Sequence, residues 1–201
     1  ARERIRAEGL EGRCRVALCD YRDVPGAACF DKIASVGMFE HVGLRNLGVY
    51  FRKISSLLAD GGVVLNHGIT TSDPENRWVG LGAGEFIDHY VFPEGELPHI
   101  ALVLKEMAAA GLETADLESL RRHYARTCRE WAKRLEASRD RAALIAGERR
   151  ARAWQIYLAG CAYGFAQGWM NVYQVLACKP HGSGRLSLPL TREHMYRRGE
   201  D

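Results

Sequence analysis

The stretch Phe30-Asp31-Lys32-Ile33-Ala34-Ser35-Val36-Gly37-Met38-Phe39-Glu40-His41-Val42-Gly43 decides the fold. Its first seven residues alternate in polarity and end on Val36, which predicts a buried strand. The strand stops at Gly37 and at once presents a carboxylate, Glu40, beside an imidazole, His41. In a parallel α/β sheet, ligands bind outside the carboxyl ends of the strands, so this pair stands where a site would be. The same two residues also suit a helix-capping acid and a surface imidazole between turn glycines. On these residues alone both readings stand.

Working outward, Asn46 to Ala59 has helical spacing, Asp60-Gly61-Gly62 makes a turn, and Val63 to Ile69 reads as the next strand. Helix, glycine turn and strand in that order are the βαβ signature of a parallel sheet. Upstream, Ala1 to Glu8 reads as the end of a helix closed by Gly9, and Cys14 to Cys19 as a short strand. Downstream, Thr70 to Pro98 turns rich in Gly, Pro, Asp and aromatic residues and reads as a long lid. It contains Gly80-Leu81-Gly82-Ala83-Gly84, a glycine run with no strand before it, and therefore weak as a phosphate-binding motif. Ile100 to Ala110 is helical, Leu112 to Leu120 a strand, Arg122 to Glu136 an amphipathic helix, Arg139 to Phe165 a second long helix, and Trp169 to Cys178 a closing strand. The domain is expected to span 1–180, with 181–201 a flexible tail.

A chain of 201 residues is enough for one well-cored domain. No apolar run approaches the length of a membrane span. Six cysteines, at 14, 19, 29, 128, 161 and 178, lack CxxC or metal-ligand spacing, so no metal site is expected and buried reduced thiols are. The net charge of +3 conceals an asymmetry: Arg121 to Arg152 holds eleven Lys/Arg against four Asp/Glu. Such a run suits a solvated helical face, or a surface that meets anionic lipid. Without interleaved aromatics or a DNA-reading motif, nucleic acid is a poor partner.

Phe30 to Gly43 resembles the corresponding segment of the cyclopropane-fatty-acyl-phospholipid synthases, which include the mycolic acid cyclopropane synthases. The similarity continues in order through Asn66-His67-Gly68-Ile69, His123-Tyr124-Ala-Arg-Thr-Cys-Arg-Glu-Trp131 and Ala159-Gly-Cys161-Ala-Tyr-Gly-Phe165, and covers about Gly9 to Lys179. It implies an α/β, doubly wound class I methyltransferase (Rossmann-like) fold with a helical lid insertion and strand order 3-2-1-4-5-7-6. Cys14–Cys19 would then be strand three and Phe30–Val36 strand four. Neither strands one and two nor the cofactor's glycine-rich turn has a counterpart before Cys14, so the chain is expected to be an N-terminally shortened form with a gap in its sheet.

The resemblance also implies S-adenosylmethionine as methyl donor and bicarbonate as base, acting on the cis double bond of a phospholipid acyl chain to give a cyclopropane ring. Glu40, His67, Tyr124 and Cys161 match the family's catalytic residues. Glu40, His67, Ile69 and Tyr124 match those that hold bicarbonate. Asp20 and Tyr21 fall where the third strand ends against the adenine. Trp78, Phe86, Tyr90 and Phe92 are candidates for a dry aromatic lining. The lid segment Phe86 to Pro98 departs from the commonest family form at Glu94 and Glu96, as does His99 just beyond it. A cytoplasmic enzyme peripheral to the membrane's inner face is expected, with room for a homodimer. The alternatives are a small-molecule N- or C-methyltransferase of the same fold, and an inactive lipid-binding remnant.

Overall fold

The computed structural model describes residues 1–75, 83–186 and 188–196, without the side chain of residue 83. Its elements in chain order are α1 (Arg2–Ala7), β1 (Phe30–Val36), α2 (Leu47–Leu57), β2 (Leu58–Thr71), α3 (Ala83–Tyr90), α4 (Ile100–Ala109), β3 (Glu113–Ser119), α5 (Arg121–Ala137), α6 (Arg139–Ala146), α7 (Glu148–Gln167), β4 (Met170–Cys178) and α8 (Glu193–Tyr196).

One sheet runs in the order β1-β2-β4-β3, with β1 and β2 parallel and the other two pairings antiparallel. This is the 4-5-7-6 part of the expected order. Strand periodicity sends alternate side chains to opposite faces, and β4 uses both. Val175 and Ala177 join a core with Tyr50, Phe51, Val103 and Met107 from α2 and α4. Met170 and Val172 join a second core with Cys128, Cys161 and Phe165 from α5 and α7. Helices on both faces of one sheet make the arrangement doubly wound.

Three expectations are corrected. Cys14 to Cys19 is not a strand: it is irregular and exposed. Local alternation can suggest a strand, but a strand needs a ladder partner, and none among the described residues pairs with this segment. Consequently Cys14, Cys19 and Cys29 are exposed, while Cys128, Cys161 and Cys178 are buried as expected, and all six are free. β1 is a strand over the expected residues but not a buried one. Only Ser35 is buried, because β2 alone pairs with it among the described residues. The long helix from Arg139 is two helices. Gly147 breaks it with φ +84°, a conformation that a residue with a Cβ seldom adopts.

Part of the expected lid is the helix α3, and the Gly80–Gly84 run is described only at its last two residues, which open that helix. The described residues beyond 180 are mostly exposed, though Arg192 pairs with Asp116 of β3.

Candidate active site

The site is built where β1 and β2 end side by side. Ser35 pairs with Asn66 and Val36 with His67 in the parallel register, and the Gly37 N–H donates to the His67 carbonyl at 2.9 Å. Behind this pair, the buried Tyr50 hydroxyl bonds to Ser35 and lies 3.4 Å from Asn66 Oδ1.

Past Gly37 the chain turns through a short 3₁₀ segment, Phe39–His41, and its direction is set by packing. The Phe39 ring lies so close to Gly68 that a Cβ there would sit 2.0 Å from the ring. With Phe39 against Gly68, the next residue meets the next: the Ile69 N–H donates to Glu40 Oε1 at 2.7 Å. Glu40 is 7% exposed, which removes the reading of a surface capping acid. Its second oxygen, Oε2, is buried with no hydrogen-bond partner among the described residues. An acceptor left this way costs about 1–3 kcal/mol, more if charged.

Opposite stands the helical wall. Tyr124 of α5 packs edge-on against Phe165 and Trp131, and its hydroxyl lies 3.4 Å from His67 Nε2. That distance is long for a direct bond, so both groups retain capacity toward a third atom. Burial raises the Tyr124 pKa, helped by Cys128 and Glu40 nearby, so the phenol keeps its proton. On α7, Tyr157 and Cys161 stand one helical turn apart. Burial pushes the Cys161 thiol up to about 12 and raises Tyr157 too. Both are neutral at ordinary pH.

Between the walls lies a cavity of about 280 Å³. Of the predicted residues, Glu40, Ile69, Tyr124, Cys161 and Phe92 line it, and His67 stands behind Tyr124. Phe86 and Tyr90 face a separate groove on the other side of α3. Trp78 lies outside the described residues. Asp20 and Tyr21 are not brought to the cavity. Asp20 caps a short 3₁₀ turn and holds Arg22 through both carboxylate oxygens, which lowers its pKa to about 2; Tyr21 packs edge-on against Tyr50.

Two features escape a sequence reading. Tyr157 lines the cavity; its spacing four residues before Cys161 places both on one helix face and is the signal that could have found it. The other is Glu96, whose N–H donates to the Glu40 carbonyl at 2.9 Å while its side chain accepts from the Leu44 N–H at 2.7 Å. It clips the segment between α3 and α4 to the Glu40 loop from 52 positions beyond Leu44, and nothing local announces this contact.

A group of ligand size fits here on two observations: the orphaned Glu40 Oε2, and Gly37, where the position of a Cβ would meet nothing within 4 Å. No cluster of ligating side chains suited to a metal ion occurs among the described residues.

Comparison with known proteins gives the family and the fold. The family model described as mycolic acid cyclopropane synthetase matches residues 1–175. A probable fatty acid methyltransferase of Pseudomonas putida is 51% identical over 98% of this chain and 50% of its own length. Cyclopropane mycolic acid synthase 1 of Mycobacterium tuberculosis is 34% identical over 72% of this chain and 53% of its own. The crystal structure of the mycolic acid cyclopropane synthase CmaA1 complexed with SAH and CTAB superposes with a TM-score of 0.76 at 29% identity, over 86% of this chain and 65% of that one. The chain spans about half the length of these curated relatives. The fold is that of the class I S-adenosylmethionine-dependent methyltransferases.

Proposed function

The chain belongs to the mycolic acid cyclopropane synthetase family, and from that premise we propose that it methylates the cis double bond of a phospholipid acyl chain and closes a cyclopropane ring. The observation that carries this reading is the buried, half-satisfied carboxyl of Glu40 facing neutral hydroxyl, thiol and apolar groups across a cavity whose lining also includes His41 and Asp88.

S-adenosylmethionine would supply an electrophilic methyl group, received past the open backbone at Gly37, with Asp20 and Tyr21 as its outer contacts. Bicarbonate, held by Glu40, His67, Ile69 and Tyr124, would supply the base that takes a proton from the newly added methyl. The chain's own residues do the positioning. Glu40 is fixed through Oε1 by the Ile69 N–H, which leaves Oε2 free to accept a proton-bearing oxygen. Tyr124 keeps its proton and donates, with His67 beside it. Such alignment is worth most where water is excluded, and exclusion matters doubly here because water would trap a carbocation on the acyl chain. Phe92, Leu97 and Met170 provide that dry surround. Cys161 and Tyr157, both neutral, add no competing nucleophile.

Methylation without ring closure is the second reading, favoured by the 51% identity to a protein named as a probable fatty acid methyltransferase. Vesicles of unsaturated phosphatidylethanolamine, incubated with the protein and labelled S-adenosylmethionine, test both. Gas chromatography with mass spectrometry of the released acyl chains should give the cyclopropane. A methyl branch would select the second reading. Label found only in a small amine acceptor would overturn both.

A further inference from the structure

The basic run does not form one uniform face. Arg121 is spent on the carbonyls of Phe165 and Ala166, where it caps α7. Lys133 pairs with Glu130, while Arg139 and Arg152 share Glu148. At the α6–α7 corner, Arg141 and Arg150 are exposed and have no salt-bridge partner among the described residues, and Arg149 lies over the Tyr90 ring at 5.3 Å. Between these arginines, Leu144 is 87% exposed and Ile145 75%. A single exposed leucine needs no explanation. Two adjacent exposed aliphatic residues at a peripheral corner, flanked by Arg141 and Arg150, have the composition of a segment that lies in a lipid interface.

The surroundings point to lipid rather than another polyanion. Directly behind the corner, a groove of about 500 Å³ runs between α3 and α7, lined by Phe86, Tyr90, Arg149, Arg152, Ala153, Ile156 and Glu148, the last paired with Arg139 and Arg152. The far side of α3 presents Gly84, Ile87 and Asp88 to the Glu40 cavity. One eight-residue helix is therefore the wall between a groove of mixed apolar and charged lining at the basic corner and the candidate active site.

We propose that the α6–α7 corner is a docking wedge for an anionic phospholipid bilayer, with Leu144 and Ile145 entering the acyl layer while Arg141 and Arg150 meet lipid phosphates. This rests on the reading of the site as acting on phospholipid acyl chains. The wedge would set the groove along α3 at the membrane surface, with the Glu40 cavity one helix away. Apolar insertion and basic contact act together in such anchors, so losing either weakens binding.

Flotation with phosphatidylglycerol-containing vesicles, with phosphatidylcholine vesicles as control, tests this on the whole chain. Binding to the anionic vesicles is expected, falling about tenfold or more in Leu144→Ser/Ile145→Ser and in Arg141→Glu/Arg150→Glu. The second variant should also lose most of the salt dependence. In Leu144→Trp, the added tryptophan should shift to the blue and be quenched by brominated acyl chains. Unchanged binding in both double variants, or no quenching at position 144, overturns the proposal. So does a drop in oligomeric mass of Leu144→Ser/Ile145→Ser with vesicle binding intact, which would assign the corner to a second copy of the chain. Neither readout needs turnover. Quenching without methyl transfer would sink the functional reading alone, and methyl transfer with the double variants binding normally would sink the wedge alone.

Discussion

The two walls of the cavity are built differently. On the sheet side, the functional groups are fixed by main chain. Glu40 is held by the Ile69 N–H, its loop by Glu96, and Gly37 by the His67 carbonyl. On the helix side, Tyr124, Tyr157 and Cys161 are fixed by packing, with ring contacts to Phe165, Trp131, Trp154 and Phe92. The first wall presents a carboxyl with one oxygen unsatisfied; the second presents groups that burial keeps neutral. A site of the kind proposed, holding an ionic group while staying dry, needs this division, because a charge is tolerated only where hydrogen bonds are fixed for it. The sheet wall should therefore dominate chemistry, and the helix wall should grade it.

The sharpest attempt to break this contrast is Glu40→Gln. With its oxygen toward the Ile69 N–H, the amide keeps the shape and that bond but replaces Oε2 with a donor. Methyl transfer to unsaturated vesicles should fall about 10²–10³-fold, with S-adenosylmethionine affinity by calorimetry nearly unchanged. Product at the native rate would put the chemistry elsewhere.

Tyr124→Phe asks the same of the helix wall. The ring contacts to Phe165 and Trp131 stay and only the hydroxyl goes. Because His67 remains as a neighbouring polar group, the loss in kcat should be smaller, about 10–10²-fold, with little change in thermal midpoint. A loss equal to that of Glu40→Gln would erase the distinction between the walls.

Glu96 tests whether the lid is part of the sheet wall. In Glu96→Ala the Leu44 N–H loses its acceptor, and the Glu40 loop loses one of its two ties. We expect a three- to tenfold fall in kcat, and destabilisation of about 1 kcal/mol by denaturant titration. Glu96→Gln should restore both, since an amide oxygen accepts from the same N–H. Failure of that rescue would mean that the charge of Glu96, and not its bond, matters.

The contrast also explains what was legible beforehand. The sheet wall is written in short range: Phe30 to Gly43 carries strand, stop and carboxyl in fourteen consecutive residues, and Asn66-His67-Gly68-Ile69 carries its partner. The family resemblance named Tyr124 and Cys161 on the helix wall, and the structure brings both to the cavity. The rest depended on contacts distant in the chain. Alternation in Cys14–Cys19 promised a strand that no neighbour among the described residues pairs with. Gly147 sat in a run of good helix formers, where a lone glycine is usually tolerated, and its positive φ was invisible until α6 and α7 packed together. From the sequence, Phe86 and Tyr90 read with Phe92 as one aromatic lining. Being four residues apart they share one face of α3, and that face looks away from Glu40.

The smallest effect on turnover is expected at the foundation of the sheet wall. Tyr50 lies behind the site, where its hydroxyl bonds to Ser35 and lies beside Asn66, the registered pair just before Val36 and His67. Burial is the main reason that its pKa is pushed up to about 12, with the Ser35 bond opposing. An unfolded tyrosine ionises near 10, so between about pH 10 and 12 the unfolded state gives up a proton that the folded state keeps. The stability held below pH 10 is lost across that window, by roughly 2–3 kcal/mol for a shift of this size. Tyr50→Phe removes the titrating group. At pH 7 it should cost about 1 kcal/mol for the lost bonds and leave methyl transfer within about twofold. Between pH 10 and 12 its thermal midpoint should fall less steeply than that of the parent. Tyr157 and Cys161 also resist ionisation in the folded chain, so the parent curve alone is a composite, and the difference between the two curves isolates Tyr50. Parallel curves would mean that the hydroxyl is already solvated in the folded chain. The bond to Ser35 would then no longer explain why β1, paired along one edge only among the described residues, ends in register with His67.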